Sequence, residues 1–435
     1  MNKYSTYNYL HNNGKNFILF NCASRAYLVL VPQLAKLIDN NKNNIDVVGD
    51  IHPELFQALK DKGFVVDKDL DEVEALLKSW REAESSPKAY SITVLPTLDC
   101  NCRCWYCYEQ HNAGTNMSPH TVELIKKHIG LKTSSKELER FHLSFFGGEP
   151  LMGFHNVVTP LIAYSKEKCQ DRNICFSVSF TTNASLLTDA MIEELVAFDI
   201  PISFQITLDG NRKTHDGIRC TKSGKPTFDT IVGNVHKLLA KNFRVSLRIN
   251  YTAANLDTNY DVIDEYKDLS DEMRKLLTVD FQQVWQDRGS KSKFGDNAMD
   301  RLQHQFKNKG LCIKSHLAKK THCYADCENS IILNYNGDVY KCTARDFNTQ
   351  NKEGQLGDDG NIEFNDHYTK RMSMRHSNRG CYACKAFPVC LGPCSQFLFE
   401  NGSKDKCPSN YTEKDILVMV QESLQDSINK YKINY

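Results

Sequence analysis

The chain has 435 residues, which is enough for two or three domains that each bury a core. Its 54 basic and 53 acidic residues nearly cancel, so the charge gives no reason to expect nucleic acid or an anionic membrane as a partner. No apolar run approaches the roughly 18 residues that span a bilayer, and the N-terminus has no basic region followed by an apolar one. We therefore expect a cytoplasmic protein whose 17 cysteines serve metal or redox chemistry rather than disulfides.

Residues 1–86 predict a small module of short strands and helices. The periodicity predicts strands at 17–20, 27–30 and 64–66, and helices from residue 32, at 52–59 and at 70–80. This order of elements resembles the recognition element of enzymes that modify ribosomally made peptides (RiPPs), a winged-helix-type module that binds the leader of the precursor. An ordinary helical cap on the following domain is the alternative.

From residue 90 onwards, a strand and a helix alternate six times. Such alternation predicts a parallel sheet with right-handed crossovers that forms a partial (β/α)6 barrel, open on one side. In parallel barrels the chemistry lies at the C-terminal ends of the strands, where loops rich in polar residues and cysteine follow here. The strands are predicted at 90–98, 141–146, 175–182, 201–208, 244–251 and 277–285, and the helices at 120–129, 157–168, 189–198, 228–240, 259–269 and 297–307.

The loop after the first predicted strand carries Cys100, Cys104 and Cys107, spaced by three and then two residues. Three thiolates can hold three irons of a 4Fe-4S cluster and leave the fourth iron open to a small chelate, although zinc uses similar spacing. With Tyr106 before the third cysteine, the loop resembles the signature of the radical S-adenosylmethionine (SAM) enzymes. The resemblance implies that SAM chelates the open iron and is cleaved reductively to a 5′-deoxyadenosyl radical.

The same resemblance implies a set of SAM contacts at the following strand ends. Residues 147–150, Gly-Gly-Glu-Pro, match the motif that receives the SAM amino group, which assigns Gly148 and Glu149 to that contact. Ser179 is assigned to SAM, and Arg219 to its carboxylate. Tyr106 completes the cofactor-binding set. Arg248 and Asn250 also point inward on the fifth predicted strand. Their positions are equally compatible with a contact to the cofactor and with a purely structural pair.

A second cysteine array resembles the SPASM domain, a C-terminal extension that carries auxiliary 4Fe-4S clusters. The resemblance implies two further clusters, and so three in all. A zinc ribbon is the alternative for the four-cysteine run, and Cys312 is an available substitute for Cys323. The implied ligands are Cys323, Cys327, Cys342 and Cys394 for one cluster, and Cys381, Cys384, Cys390 and Cys407 for the other.

These resemblances divide the chain into a leader-binding module (1–86), a radical SAM core (89–310), a SPASM domain (311–410) and a C-terminal helix (411–435). They imply an enzyme that abstracts hydrogen from a precursor peptide to install a cross-link or oxidation, and that takes electrons from a donor such as flavodoxin or ferredoxin. The alternatives are an anaerobic sulfatase maturase and a catalytically silent partner. Thr343 stands where the sulfatase maturases have an aspartate base, which favours the peptide maturase.

Overall fold

The computed structural model describes residues 1–12, 14–287, 298–314, 321–403 and 406–433. These residues form two compact units. The first unit combines Met1–Ser85 with His316–Cys327 and Lys370–Tyr435, and the second combines Ser86–Ser315 with Glu328–Thr369. Within the described residues, no helix is long and apolar enough to cross a bilayer.

The N-terminal part of the first unit contains a three-stranded antiparallel sheet and a separate two-stranded pairing. Strands β2, β3 and β4 pair in that order, and β1 pairs with β5. The three predicted strands and three predicted helices are confirmed, whereas β1, β2 and α2 add to what the sequence predicted. The elements are β1 Asn2–Tyr4, β2 Asn8–Asn12, β3 Phe17–Asn21, β4 Tyr27–Leu30, α1 Pro32–Asn41, α2 Asp46–Ile51, α3 Pro53–Asp61, β5 Val65–Asp67 and α4 Glu72–Glu84.

The second unit is organised around a sheet of eleven strands. Its six central strands are parallel and pair in chain order, as the sequence predicted. They are β6 Ala89–Val94, β7 Arg140–Phe145, β8 Cys175–Thr182, β9 Ile202–Leu208, β10 Arg244–Tyr251 and β11 Leu277–Gln283. The other strands are β12 Cys312–Ile313 beyond β11, and β13 Ser330–Leu333, β14 Asp338–Tyr340, β15 Gly354–Leu356 and β16 Ile362–Phe364 beyond β6.

Helices follow the central strands, as crossover connections require. The helices are α5 Pro119–Thr133, α6 Thr159–Gln170, α7 Asp189–Ala197, α8 Arg212–Ile218, α9 Phe228–Ala240, α10 Asp271–Leu276 and α11 Ala298–Asn308. The α-helix expected at 259–269 is wrong, because this segment forms two 3-10 turns instead, Leu256–Asn259 and Asp261–Tyr266. Val262, Ile263 and Tyr266 are buried there, and their spacing suits either kind of helix.

Alternation along the central strands separates an apolar face from a polar one. On β7, Phe141, Leu143 and Phe145 are buried, whereas His142 and Ser144 between them are only half-buried. The buried rings continue across the sheet, since Phe145 stacks on Phe180 and Phe180 on Phe204 at ring-centroid distances of 5.2 and 5.1 Å. The apolar face packs under the helices, so the opposite face is left for polar chemistry.

Among the described residues, the C-terminal part of the chain contains four α-helices and a β-hairpin. Strands β13 and β14 pair antiparallel across Gly337, whose φ of +81° is a conformation that glycine adopts readily. Cys327 precedes β13 and Cys342 follows β14, so both cysteines flank the hairpin and neither lies on its strands. The helices are α12 Asp366–Met374, α13 Phe387–Cys390, α14 Ser395–Asn401 and α15 Glu413–Ile433, and a capping box of Thr412 and Asp415 begins the last of them.

Candidate active site

The loop that follows β6 brings its three predicted ligand cysteines together. A backbone hydrogen bond of 3.0 Å from Cys107 to Cys104 closes a turn, and the Cys100 N–H donates to the Asp99 carboxylate at 2.8 Å. Burial raises the pKa of Cys104 to about 12 and that of Cys107 to about 11, and the charges of neighbouring cysteines in the loop contribute to both shifts. A thiol with a raised pKa stays protonated at neutral pH unless a bound metal displaces its proton. Three such thiols close together fit the donor set of an iron–sulfur cluster.

Further contacts tie the cysteine loop to the rest of the second unit. The Asn183 amide lies 3.8 Å from the Cys100 sulfur and 2.8 Å from the Asn101 side-chain oxygen. Cys102 is buried and forms an isolated bridge with Thr221. A hydrogen bond between the Cys102 and Cys100 side chains, together with burial, raises the pKa of Cys100. Cys102 thus lies beside the predicted ligands.

The two glycines of the 147–150 motif lie against the cysteine loop. Gly148 donates to the Thr97 carbonyl at 3.1 Å, and Glu149 donates to the Asp99 carbonyl at 2.9 Å. A Cβ on Gly147 would lie 2.5 Å from the Thr97 oxygen, and one on Gly148 would lie 2.1 Å from the Asp99 oxygen. Both glycines therefore allow close approach to the backbone of the cysteine loop, and the assignment of Gly148 to SAM stays a prediction.

Glu149 is fully buried and already accepts three hydrogen bonds. Its Oε1 accepts from Leu151 N–H at 3.0 Å and from the Thr182 hydroxyl at 2.6 Å, and its Oε2 accepts from Asn183 N–H at 2.8 Å. Burial raises the pKa of Glu149, and these hydrogen bonds oppose the shift. A carboxylate has about four acceptor positions, so one remains for a further donor.

Tyr106 and Arg219, both predicted cofactor contacts, belong to one network with Asp209 and Asn250. The Tyr106 hydroxyl donates to Asp209 Oδ1 at 2.6 Å and accepts from Arg219 at 2.6 Å and Asn250 at 3.0 Å. Arg219 Nε also donates to Asp209 Oδ2 at 2.9 Å, and the Asp209 side chain is only 1% exposed. No role for Asp209 was predictable from the sequence, although this residue directly follows β9 in a Leu-Asp-Gly segment.

Ser179 lies within β8 rather than at its end. Its hydroxyl lies 2.9 Å from His142 Nε2 and donates to Ser144 at 3.0 Å, and the other His142 nitrogen lies 2.8 Å from Ser177. These four side chains form a polar chain on the face opposite the helices. The assignment of Ser179 to SAM stays a prediction.

Sequence reasoning also missed an acidic pair just beyond the cysteine loop. Glu109 is 8% exposed, and burial raises its pKa to about 8, with the charge of Asp346 adding to the shift. Glu109 Oε2 and Asp346 Oδ1 are buried without a hydrogen-bond partner. Tyr108 brings the two segments together, because its hydroxyl donates to the Thr343 carbonyl at 2.5 Å. Only the tertiary fold reveals this pair.

Four predicted auxiliary ligands line one cavity of the first unit. Cys381, Cys384, Cys390 and Cys407 line this cavity together with apolar side chains such as Phe387 and Met419. The Asn378 amide donates to the Cys381 sulfur at 3.2 Å. Four thiols around an apolar cavity match the donor set of a fully ligated iron–sulfur cluster.

The other predicted auxiliary ligands are distributed over both units. In the first unit, the Cys323 and Cys394 side chains are hydrogen-bonded to each other, and this bond and burial raise the pKa of Cys323. The Cys327 thiol donates to the Cys323 carbonyl at 3.5 Å. Cys342 belongs to the second unit, where its sulfur accepts from Ala344 N–H at 3.4 Å. The alternative ligand Cys312 is exposed on β12.

Comparison with known proteins shows which family this site resembles. Residues 94–268 match the radical SAM superfamily. The chain is 26% identical over 249 residues, 53% of its length, to the radical SAM cyclopropyl synthase TigE of Paramaledivibacter caminithermalis, and spans about half of that protein, 47%. It is 23% identical over 380 residues, 76% of its length, to 96% of a cysteine-type anaerobic sulfatase-maturating enzyme of Clostridium novyi.

A solved structure extends the likeness to the fold. Streptococcus suis SuiB, in a crystal with the precursor peptide SuiA, aligns with 94% of this chain and all of its own at a TM-score of 0.52 and 15% identity. This likeness concerns the fold alone. The sequence matches by themselves show that residues 94–268 match a radical SAM domain and that the chain is similar to a radical SAM cyclopropyl synthase and to a sulfatase-maturating enzyme.

Proposed function

We propose that the protein is a radical SAM peptide maturase that abstracts hydrogen from a ribosomally made precursor to install a cross-link or an oxidation. The observation that carries this proposal is the loop of Cys100, Cys104 and Cys107 at the C-terminal end of the first parallel strand. Its three thiols lie together and are partly or fully buried. A cluster bound there, with SAM, would supply a 5′-deoxyadenosyl radical.

The residues around this loop have distinct parts in holding SAM. Glu149 has one acceptor position left for the SAM ammonium, on a carboxylate that three hydrogen bonds hold in place. Arg219 offers its guanidinium to the SAM carboxylate while Asp209 fixes its orientation. Gly148, Ser179 and Tyr106 complete the proposed contacts. The polar face of the barrel then receives the substrate.

We propose three 4Fe-4S clusters in the whole chain. The cavity of Cys381, Cys384, Cys390 and Cys407 fits one auxiliary cluster. Cys323 and Cys394, which are hydrogen-bonded to each other, and Cys327, whose thiol donates to the Cys323 carbonyl, are the first unit's part of the ligand set proposed for a second. Cys323 is favoured over Cys312, because Cys312 is exposed on a strand of the second unit. These clusters would draw electrons from a reduced donor such as flavodoxin or ferredoxin.

The substrate class rests on the N-terminal strands and on residue 343. Among the described strands, β4 is an edge of the sheet of β2, β3 and β4, and Val29 on it is 58% exposed. A leader peptide can add to such an edge as a further strand. SuiB binds a precursor peptide, SuiA, which supports a substrate of this kind. We therefore infer that residues 1–86 act as a leader-binding module of winged-helix type.

The second candidate is formylglycine formation on a sulfatase, because sulfatase-maturating enzymes are among the relatives. The backbone carbonyl of Thr343 accepts a hydrogen bond from Tyr108, and Tyr108 directly follows Cys107, the last cysteine of the loop. A threonine hydroxyl is a poor base at neutral pH. This observation favours the peptide maturase. A silent partner would have no use for the intact cysteine loop and Glu149.

The test is SAM cleavage by anaerobically reconstituted protein with dithionite. We expect 5′-deoxyadenosine from the wild type and none from the variant in which Cys100, Cys104 and Cys107 are all alanine. Iron should fall from about twelve to about eight per chain in that variant, since two clusters remain. Replacing the exposed Cys175 by alanine is the matched control and should change neither value. Full cleavage by the triple variant would refute the assignment.

A further inference from the structure

Glu84, His322 and His376 meet in the first unit although they are far apart in sequence. Glu84 ends α4, His322 precedes the turn Tyr324–Asp326, and His376 follows α12. His322 Nδ1 lies 3.0 Å and His376 Nε2 2.8 Å from the same carboxylate oxygen, Glu84 Oε1. The side chain of Glu84 is fully buried, and that of His376 is 4% exposed. Three chain segments therefore converge on one buried oxygen.

The second oxygen of Glu84 has a different partner. Arg375 Nη1 lies 3.3 Å from Glu84 Oε2 and donates to the Asp326 carbonyl at 3.0 Å, while its Nε donates to the Met372 carbonyl. The guanidinium is thus shared among three acceptors on the Oε2 side. A carboxylate that binds a metal through one oxygen commonly has its other oxygen hydrogen-bonded in this way. Oε1 remains on the histidine side.

We propose that Glu84, His322 and His376 bind a divalent transition metal, for which zinc is the best match. Two imidazoles and one carboxylate are an established zinc ligand set, and the three donor atoms all lie within 4.8 Å of one another. Tetrahedral zinc with bonds near 2.0–2.1 Å separates its ligands by about 3.3 Å. The two distances to Oε1 are shorter by roughly 0.4 Å, so a small outward movement of the rings accommodates the ion.

Aromatic side chains pack against the rings that would bind the metal. The Trp80 ring centroid lies 4.9 Å from that of His322 and 5.1 Å from that of His376, and Phe387 packs 4.9 Å from Trp80. The two imidazoles are 5.5 Å apart and nearly perpendicular, at 86°. This packing limits the rotation of the rings and surrounds the site with apolar atoms. It favours a structural ion that ties the end of α4 to the segments around His322 and His376.

Three protein ligands leave one coordination position for water or hydroxide. A hydroxide there would also reduce the positive charge, because Arg375 already balances the charge of Glu84. This site is separate from the cysteine arrays in its ligand chemistry, since it uses nitrogen and oxygen and no sulfur. The proposal goes beyond the radical chemistry and does not depend on it.

The experiment uses full-length protein reconstituted anaerobically with iron and sulfide, then given zinc chloride and desalted. Mass spectrometry should find about one zinc per chain beside the iron. X-ray absorption at the zinc edge should show nitrogen and oxygen neighbours near 2.0 Å and no sulfur near 2.3 Å. Less than about half an equivalent of zinc would overturn the proposal, as would zinc–sulfur bonds, which would place the zinc on cysteines.

Two variants make the test specific. His376→Ala and Glu84→Gln should each lose the zinc, whereas His155→Ala, which removes a histidine whose side chain is 70% exposed, should keep it. Zinc that is retained in full by both variants would overturn the proposal. The absorption spectrum of the wild type decides the ligand chemistry by itself if either variant fails to fold.

Discussion

The backbone of Gly148 is in direct contact with the backbone of Asp99. The next amide, that of Glu149, donates to the Asp99 carbonyl at 2.9 Å, and a Cβ on Gly148 would lie 2.1 Å from that oxygen. Two loops from neighbouring strand ends are therefore joined at a point where no side chain fits. The geometry of the cysteine loop depends on this contact.

Gly148→Ala should destabilise the second unit and impair cluster binding. The added methyl group meets main-chain atoms that cannot move without breaking the hydrogen bonds of the turn, and overpacking of this kind costs about 1–3 kcal/mol or more. We expect a lower unfolding temperature and fewer irons per chain after reconstitution. Gly233→Ala is the control, since nothing lies within 4 Å of its Cβ in α9, and it should stabilise by up to about 1 kcal/mol. Equal iron content and stability in the wild type and Gly148→Ala would contradict this account.

Asp209→Asn should be strongly destabilising because it leaves the Arg219 charge without its carboxylate. The side chains of Arg219 and Asp209 are 11% and 1% exposed, and removing one partner of a buried pair costs about 3–5 kcal/mol. Asp189→Asn is the matched control, since its pair with Lys237 is exposed, with side chains 76% and 50% accessible, and is worth about 0–1 kcal/mol. Denaturant unfolding of both variants measures the difference. A cost for Asp209→Asn no larger than the control would show that the network does not hold Arg219.

His128 should make stability fall as the solution becomes acidic. Its ring is buried between the Tyr90 hydroxyl and the Gly360 carbonyl, and burial, assisted by Lys132, lowers its pKa to about 4. Because the folded pKa lies below the ordinary value of 6.5, the unfolded chain binds the proton first. The stabilising contribution of the neutral His128 ring is therefore present above about pH 6.5 and is lost as the pH falls towards about 4. Between about pH 7 and about pH 5.5 the loss is about 1 kcal/mol.

The measurement is denaturant unfolding at both pH values for the wild type, His128→Gln and the exposed-site control His155→Gln. On going from the higher to the lower pH, the free energy of unfolding of the wild type and of the control should fall by about 1 kcal/mol more than that of His128→Gln. If all three proteins lose the same free energy, His128 is not the group that senses pH.

The positions of strands were predictable where apolar and polar residues alternate clearly. The tertiary partners of individual side chains were not predictable. Strands β8 and β10 have the predicted bounds, because apolar and polar residues alternate along them. The need for glycine at 148 depends on the Asp99 carbonyl, 49 positions earlier in the chain. Asp209 went unassigned because its partner Tyr106 comes from another loop. A sequence motif shows which side chains are present, but only the tertiary structure shows which groups those side chains contact.

The N-terminal module also illustrates this limit, and it changes how leader binding should be tested. Its residues Phe20, Leu77 and Trp80 share one core with Phe387 and Met419 of the C-terminal part. Deleting residues 1–86 would expose that core, so loss of peptide binding in such a protein would have two explanations. A surface substitution avoids this.

Val29→Glu should therefore weaken leader binding while leaving the fold and SAM cleavage intact. Val29 is 58% exposed on β4, the edge strand on which a leader would add, and a buried carboxylate at the new interface should cost at least about 1.4 kcal/mol, a tenfold loss of affinity. Ile51→Glu is the control, because Ile51 is 60% exposed but lies on α2. Fluorescence titration with a cognate precursor measures the affinity of both variants for the peptide. Equal affinity of the two variants and the wild type would place the leader elsewhere and leave formylglycine formation as the stronger candidate.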